Sequence, residues 1–192
     1  MYAMIEHEKK YRVDSHESIA DSLAKLGFKK NGTSAQKDTY FTRADVDFME
    51  TKECLRIREE DSKCELTYKP PTTKDMEAAS SIWKKETNID LTEDGVLSAE
   101  ELLRSIGCLK LCVVDKHRVS YIKDNLTVAL DTIVGLGLFV EIEILATDKQ
   151  DDAIAIIESL AADLGILVTD TVKLPYRDLV MDAQALDPNP NI

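Results

Sequence analysis

The chain has 192 residues, and 44% of them are hydrophobic, so a buried core is expected and global disorder is excluded. Its net charge of −12 and pI near 4.7 argue against nucleic acid or anionic membranes as partners, because neutralising phosphate needs a cationic face. An anionic small ligand stays open if the cations are gathered locally.

The first element is a strand at 3–13, "AMIEHEKKYRV". Successive side chains of a strand point to opposite faces, so Glu6, Glu8, Lys10 and Arg12 share one face, with Ile5, His7, Lys9, Tyr11 and Val13 on the other. A helix follows in "SHESIADSLAKLG", with Ile19, Leu23 and Leu26 on one stripe and Gly27 as its stop. Strands are expected at 37–42, 53–60 and 63–69, the last two joined by a turn in "EEDSKC". "PPTTKDMEAAS" at 70–80 reads as a loop, before a strand at 83–90. A second helix is placed at "SAEELLRSIG", with Ser98 and Glu101 as a capping box. Strands at 112–121 and 125–131, turning at "KDNL", precede a strand at 138–146. "DKQDDAIAIIESLAADLG" and the shorter "PYRDLVMDA" close the pattern as helices, and "LDPNPNI" is expected to fray.

These elements predict an α+β fold: about eight mostly antiparallel strands in a closed barrel, with helices packed on its outside. No Gly-, Ser- or Pro-rich linker divides the chain, so a single domain over 1–182 with a flexible tail over 183–192 is expected. No apolar run nears the roughly 20 residues that span a bilayer, and charge begins by Glu6, so a cytoplasmic location is expected. Cys54, Cys64, Cys108 and Cys112 form no CxxC pair, which points to reduced thiols and away from a thiolate zinc site.

The charged alternation of the first strand recurs. Arg56 and Arg58 share a face, as do Glu65, Thr67 and Lys69, then Lys84 and Glu86, then Lys116 and Arg118. Asp131 falls in register with Thr127 and Ala129, and Glu141 with Glu143. One such doublet is what any half-wet antiparallel strand produces. The whole set fits a different arrangement, in which helices cover the apolar faces and the charged faces line a hydrated cavity. Lys10, Arg12, Arg56, Arg58, Lys69, Lys116 and Arg118 then stand beside Glu6, Glu8, Asp131, Glu141 and Glu143. A polyphosphate suits the cations, and hard divalent ions suit carboxylates beside phosphate oxygens. His117 alternates to the opposite face from Lys116 and Arg118 and reads as structural, and Trp83 reads as core.

Glu6-x-Glu8-x-Lys10 resembles the ExExK signature of the CYTH superfamily, the triphosphate tunnel metalloenzymes. The resemblance continues in order through "QKDTYF", "LRIR", "LTYKPP", "KET", "VDKHR" and "LDTIVGLGLFVEIE", and is greatest to the class IV adenylyl cyclase branch. It implies an eight-stranded tunnel that binds ATP or another triphosphate with Mg²⁺ or Mn²⁺, two ions in all. It assigns Lys10, Arg56, Arg58, Lys69, Lys116 and Arg118 to the phosphates, and Glu6, Glu8, Asp131, Glu141 and Glu143 to metal. Lys10, Lys116, Arg118 and Asp131 are the expected catalytic set, with Arg12, Glu65 and Glu86 as further candidates. Pro70 follows Lys69 where relatives of the cyclase type often carry glycine. The implied reaction is conversion of ATP to 3′,5′-cyclic AMP and pyrophosphate. The alternatives are hydrolysis of tripolyphosphate, thiamine triphosphate or nucleoside triphosphates, and non-catalytic polyphosphate binding. A homodimer is compatible with the sequence.

Overall fold

The computed structural model describes residues 5–72, 86–146 and 150–186. Its strands are β1 (Ile5–Val13), β2 (Lys29–Arg43), β3 (Cys54–Glu60), β4 (Lys63–Lys69), β5 (Thr87–Leu91), β6 (Cys108–Lys123), β7 (Leu126–Ile133), β8 (Gly137–Ala146) and β9 (Thr171–Val172). The helices are α1 (Glu17–Lys25), α2 (Glu93–Ser105), α3 (Gln150–Asp163) and α4 (Tyr176–Leu186), with a 3₁₀ turn at Val168–Asp170.

The strand order is β5-β4-β3-β2-β6-β7-β8-β1-β9. The expected eight-stranded closed barrel is therefore corrected: among the described residues the sheet has nine strands and is open. The outer edge of β1 is taken by β9, through Lys10 opposite Val172 and Tyr11 opposite Thr171. At the other end β5, five residues long and largely exposed, pairs with β4. A two-residue strand such as β9 is too short to leave an alternation in the sequence.

Two long strands exceed their expected bounds. β2 begins at Lys29 because "KKNGTSAQ" is extended but almost wholly exposed, so it has no apolar alternation to reveal it. β6 begins at Cys108, directly after the helix stop at Gly107. The expected turns stand at Asp61 and Asp124, both left-handed (φ 50° and 53°), a conformation that Asp tolerates better than most residues.

The second helix starts earlier than its capping box suggested. Its cap is Thr92, whose hydroxyl accepts from the Gly95 backbone N–H at 3.2 Å, and Ser98 lies inside the helix. A Cβ on residue 95 would lie 3.0 Å from that hydroxyl, so glycine at this position lets the cap close. The last helix runs through Leu186, so residues 183–186 of the expected tail are helical. Residues 187–192, Trp83, Lys84 and the loop from 73 onward lie outside the described residues.

The chain divides into two compact units, Met1–Ser34 with His117–Leu174, and Ala35–Lys116 with Pro175–Ile192. In the first, Ile19 and Leu23 of α1 and Ala153, Ile157, Leu160 and Ala161 of α3 pack with Tyr11, Val128, Leu130, Val140, Ile142 and Ile144. Those strand residues alternate with Lys10, Ala129, Glu141 and Glu143, so both helices lie on the face away from the charges. In the second unit, Val96, Ala99 and Leu103 of α2 pack with Phe41, Ile57, Cys64 and Cys108. The neighbours of those residues in β2 and β3, Tyr40, Arg56 and Arg58, take the opposite face. All four cysteines are free thiols, and burial pushes Cys112 up to about 11.

Moving the cap from Ser98 to Thr92 has a measurable consequence. Thr92→Ala should cost about 1 kcal/mol in urea unfolding, and Ser98→Ala within about 0.5 kcal/mol of nothing. The reverse ranking would return the helix start to Ser98.

Candidate functional site

In the first unit the register of β1 and β8 places Lys10 opposite Glu141, Glu8 opposite Glu143, and Glu6 opposite Leu145. On the other side of β8, Ala129 and Thr127 of β7 face Glu141 and Glu143. The small Ala129 leaves room over Glu141 for longer side chains from neighbouring strands. Arg118 on β6 reaches there: its Nε and Nη2 donate to the two oxygens of Asp131 at 2.7 and 2.5 Å, and Nη2 also meets Glu141 Oε2. Lys10 Nζ lies 3.3 Å from the other Glu141 oxygen and donates to the Leu174 carbonyl at 3.4 Å. Glu141 thus sits between two cations, one at each oxygen.

Asp131 is fully buried, while the Arg118 side chain is 22% exposed. The carboxylate lies beneath and the guanidinium remains reachable. Arg12 turns elsewhere: it donates to the Leu136 carbonyl at 2.9 Å and lies 4.8 Å above the Phe139 ring, bracing the turn between β7 and β8.

The second unit repeats this construction with different residues. Asp38 on β2 stands opposite Arg58 on β3, and Tyr40 opposite Arg56. Arg58 Nε and Nη2 each donate to an Asp38 oxygen at 2.6 Å, and Arg56 Nη1 lies 3.6 Å away. The Tyr40 hydroxyl donates to the same carboxylate at 3.4 Å. Lys116 is buried, 5.5 Å from the Tyr176 ring centre. Lys69 pairs with Glu86, and Glu65 accepts from the Thr67 hydroxyl at 2.9 Å. His117 is exposed, on the other side of β6 from Lys116.

Burial alone would push the Asp38 carboxyl up. The Arg58 hydrogen bonds, with the charges of Arg58, Arg56 and Lys116, outweigh it and hold the group below the usual carboxylate range. Burial and the Asp38 charge together push the Tyr40 hydroxyl well up, so it stays a neutral donor.

A model of the CYTH domain matches residues 4–176. The chain belongs to the CYTH domain family. A Methanocaldococcus jannaschii protein with the provisional name of an adenylate cyclase is 30% identical over 178 residues, 92% of this chain and 98% of that protein. A solved structure of the Pyrococcus horikoshii protein PH1819 superposes with a TM-score of 0.72 at 27% identity, covering 93% of this chain and 99% of that one. A Hippeastrum protein, provisionally named an adenylyl cyclase and described as having a dominant triphosphatase activity, shares the fold. Its TM-score is 0.67 at 21% identity, with coverage of 97% and 98%.

CYTH triphosphate tunnel enzymes are metal-dependent in general. Among the described residues no three His, Cys, Asp or Glu side chains converge as a metal cluster. Asp131 has both oxygens on Arg118, and each Glu141 oxygen has a cation beside it. Glu8 and Glu143 stand directly opposite each other across β1 and β8. Like charges in that position repel, and a cation between them relieves the repulsion. Both donors are carboxylate oxygens, the chemistry a hard ion such as Mg²⁺ or Mn²⁺ takes, so the residues present fit such an ion.

Asp38 lies within "QKDTYF" and is not among the site residues expected from the sequence. Its signal was present: Asp38 and Tyr40 share the strand face opposite the Arg56–Arg58 doublet.

The lowered Asp38 carboxyl predicts a pH dependence. A group whose folded pKa lies below its unfolded value, about 3.9 for Asp, adds stability above that value and loses it as pH falls through the folded pKa. Asp38→Asn should therefore be destabilised at neutral pH, with the deficit shrinking below about pH 4. Denaturant unfolding across pH reads this, and a deficit that does not change with pH would contradict the pairing.

Proposed function

We propose that this CYTH protein is a metal-dependent adenylyl cyclase, converting ATP to 3′,5′-cyclic AMP and pyrophosphate. The observation that carries the triphosphate reading is the network Lys10–Glu141–Arg118–Asp131, beside the opposed carboxylates Glu8 and Glu143. The network offers cations to phosphate oxygens, and the opposed pair offers oxygens to a divalent ion. The choice of cyclase rests on the 30% identical relative with the adenylate cyclase name.

In this reaction the 3′-oxygen bonds to the α-phosphorus, the bond from that phosphorus to the β-phosphate oxygen breaks, and the hydroxyl proton leaves. Negative charge builds on the departing pyrophosphate. Lys10 and Arg118 are the groups we assign to that charge, with Arg118 oriented in advance by Asp131. Arg56, Arg58, Lys69 and Lys116 are assigned to phosphate oxygens, where the arginine fork suits two oxygens at once. Glu8 and Glu143 would hold a Mg²⁺ or Mn²⁺ ion, with Glu6 as a further candidate ligand. Such an ion, when bound, supplies Lewis-acid polarisation and charge neutralisation.

Hydrolysis is the second reading. A chain of this fold from Hippeastrum, also provisionally named a cyclase, is described as having a dominant triphosphatase activity, so the fold is compatible with either reaction. The same cations and carboxylates serve water attack on the γ-phosphorus.

Incubation with ATP and Mg²⁺ or Mn²⁺, followed by product separation, decides between them. Cyclic AMP and pyrophosphate in equal amounts are expected. ADP and phosphate would transfer the assignment to triphosphatase. Glu143→Ala should abolish metal-dependent turnover while circular dichroism stays unchanged, and retained turnover would remove Glu143 from the site. Arg56→Ala should weaken triphosphate binding by about 1.5–3 kcal/mol in calorimetry.

A further inference from the structure

Two arginines converge on Asp38, a carboxylate with no role in the proposed reaction. Asp38 is 2% exposed, while the side chains of Arg56 and Arg58 are 16% and 21% exposed. The acid therefore lies beneath, and the cations stay within reach of a ligand. Arg58 gives Asp38 one edge of its guanidinium, Nε with Nη2, which leaves the other edge for an anion. Arg56 approaches the same carboxylate from the next register position, and the Tyr40 hydroxyl holds that carboxylate from its own strand. A side chain so placed cannot compete with a ligand for the cations' free edges, but it fixes where those edges point.

We infer that Asp38 is a positioning residue for triphosphate binding, holding the guanidinium groups of Arg56 and Arg58 in their phosphate-binding orientation before the ligand arrives. The gain is preorganisation: long side chains already ordered lose less freedom when the ligand binds. The inference rests on the triphosphate reading, and it adds a residue to that site.

The test is calorimetric titration of inorganic tripolyphosphate into metal-free protein in EDTA, wild type against Asp38→Asn. Affinity should fall about tenfold or more, the loss expected when charge-assisted contacts are no longer held in place. Removing a negative charge near bound phosphate would, by Coulomb's law alone, tighten binding. A loss is therefore a signature of orientation, and a merely structural role would lower the melting temperature without moving affinity. Equal or tighter binding by the folded variant overturns the inference and leaves the triphosphate reading standing. A wild type that binds no tripolyphosphate, either in EDTA or with Mn²⁺ added, overturns both.

If the variant does not fold, the wild type supplies a second measurement. The Arg58 Nε–Hε resonance, assigned by its disappearance in Arg58→Lys, should persist in ligand-free protein at neutral pH. Loss of that signal to solvent exchange would show an arginine that is not held, and would overturn the proposal.

Discussion

Each unit depends on the same interaction: an arginine forked onto a buried aspartate of another strand. Arg118 on Asp131 and Arg58 on Asp38 have the same Nε and Nη2 pairing, with distances of 2.5–2.7 Å. Buried ion pairs are weak contributors to stability, because desolvation offsets much of the attraction. Their value here is directional. Carboxylates this buried, 0% exposed for Asp131 and 2% for Asp38, lie beneath arginines that are about a fifth exposed.

This arrangement also resolves an apparent conflict in composition. A chain of net charge −12 is a poor general partner for anions. Period-two alternation gathers cations on one face of each strand, and the apolar residues between them are covered by α1 and α3 in one unit and by α2 in the other. Short-range pairing then decides what the local charge does. Around Glu141 two cations meet one carboxylate, and beside it two carboxylate residues, Glu8 and Glu143, share a register position. One region suits phosphate oxygen and its neighbour suits a hard cation.

Much of this was legible because strand alternation is a local property. The doublets Arg56–Arg58, Lys116–Arg118 and Glu141–Glu143, and the turns at Asp61 and Asp124, follow from spacing and turn chemistry alone. What could not be read depends on partners distant in sequence. Asp38 acquires its meaning from Arg58, twenty positions along and across a strand pair. The ninth strand, β9, is too short to carry a period. Thr92 was hidden because Gly95 weakens the helix signal, although that glycine is what lets the cap close. Arg12 shares the charged face of β1 by period, yet its guanidinium is taken by the Leu136 carbonyl and the Phe139 ring.

The proposed function requires the cations and the opposed carboxylates to serve one ligand assembly, a triphosphate with its divalent ion. Thermodynamic linkage makes that claim measurable without any turnover, because two ligands sharing a site must change each other's affinity by the same factor. A non-hydrolysable ATP analogue titrated with and without Mn²⁺, and Mn²⁺ titrated with and without the analogue, closes the cycle. Each should tighten the other by an equal factor, and Glu8→Gln with Glu143→Gln should remove this coupling. Independent binding of the two in the wild-type protein would contradict it.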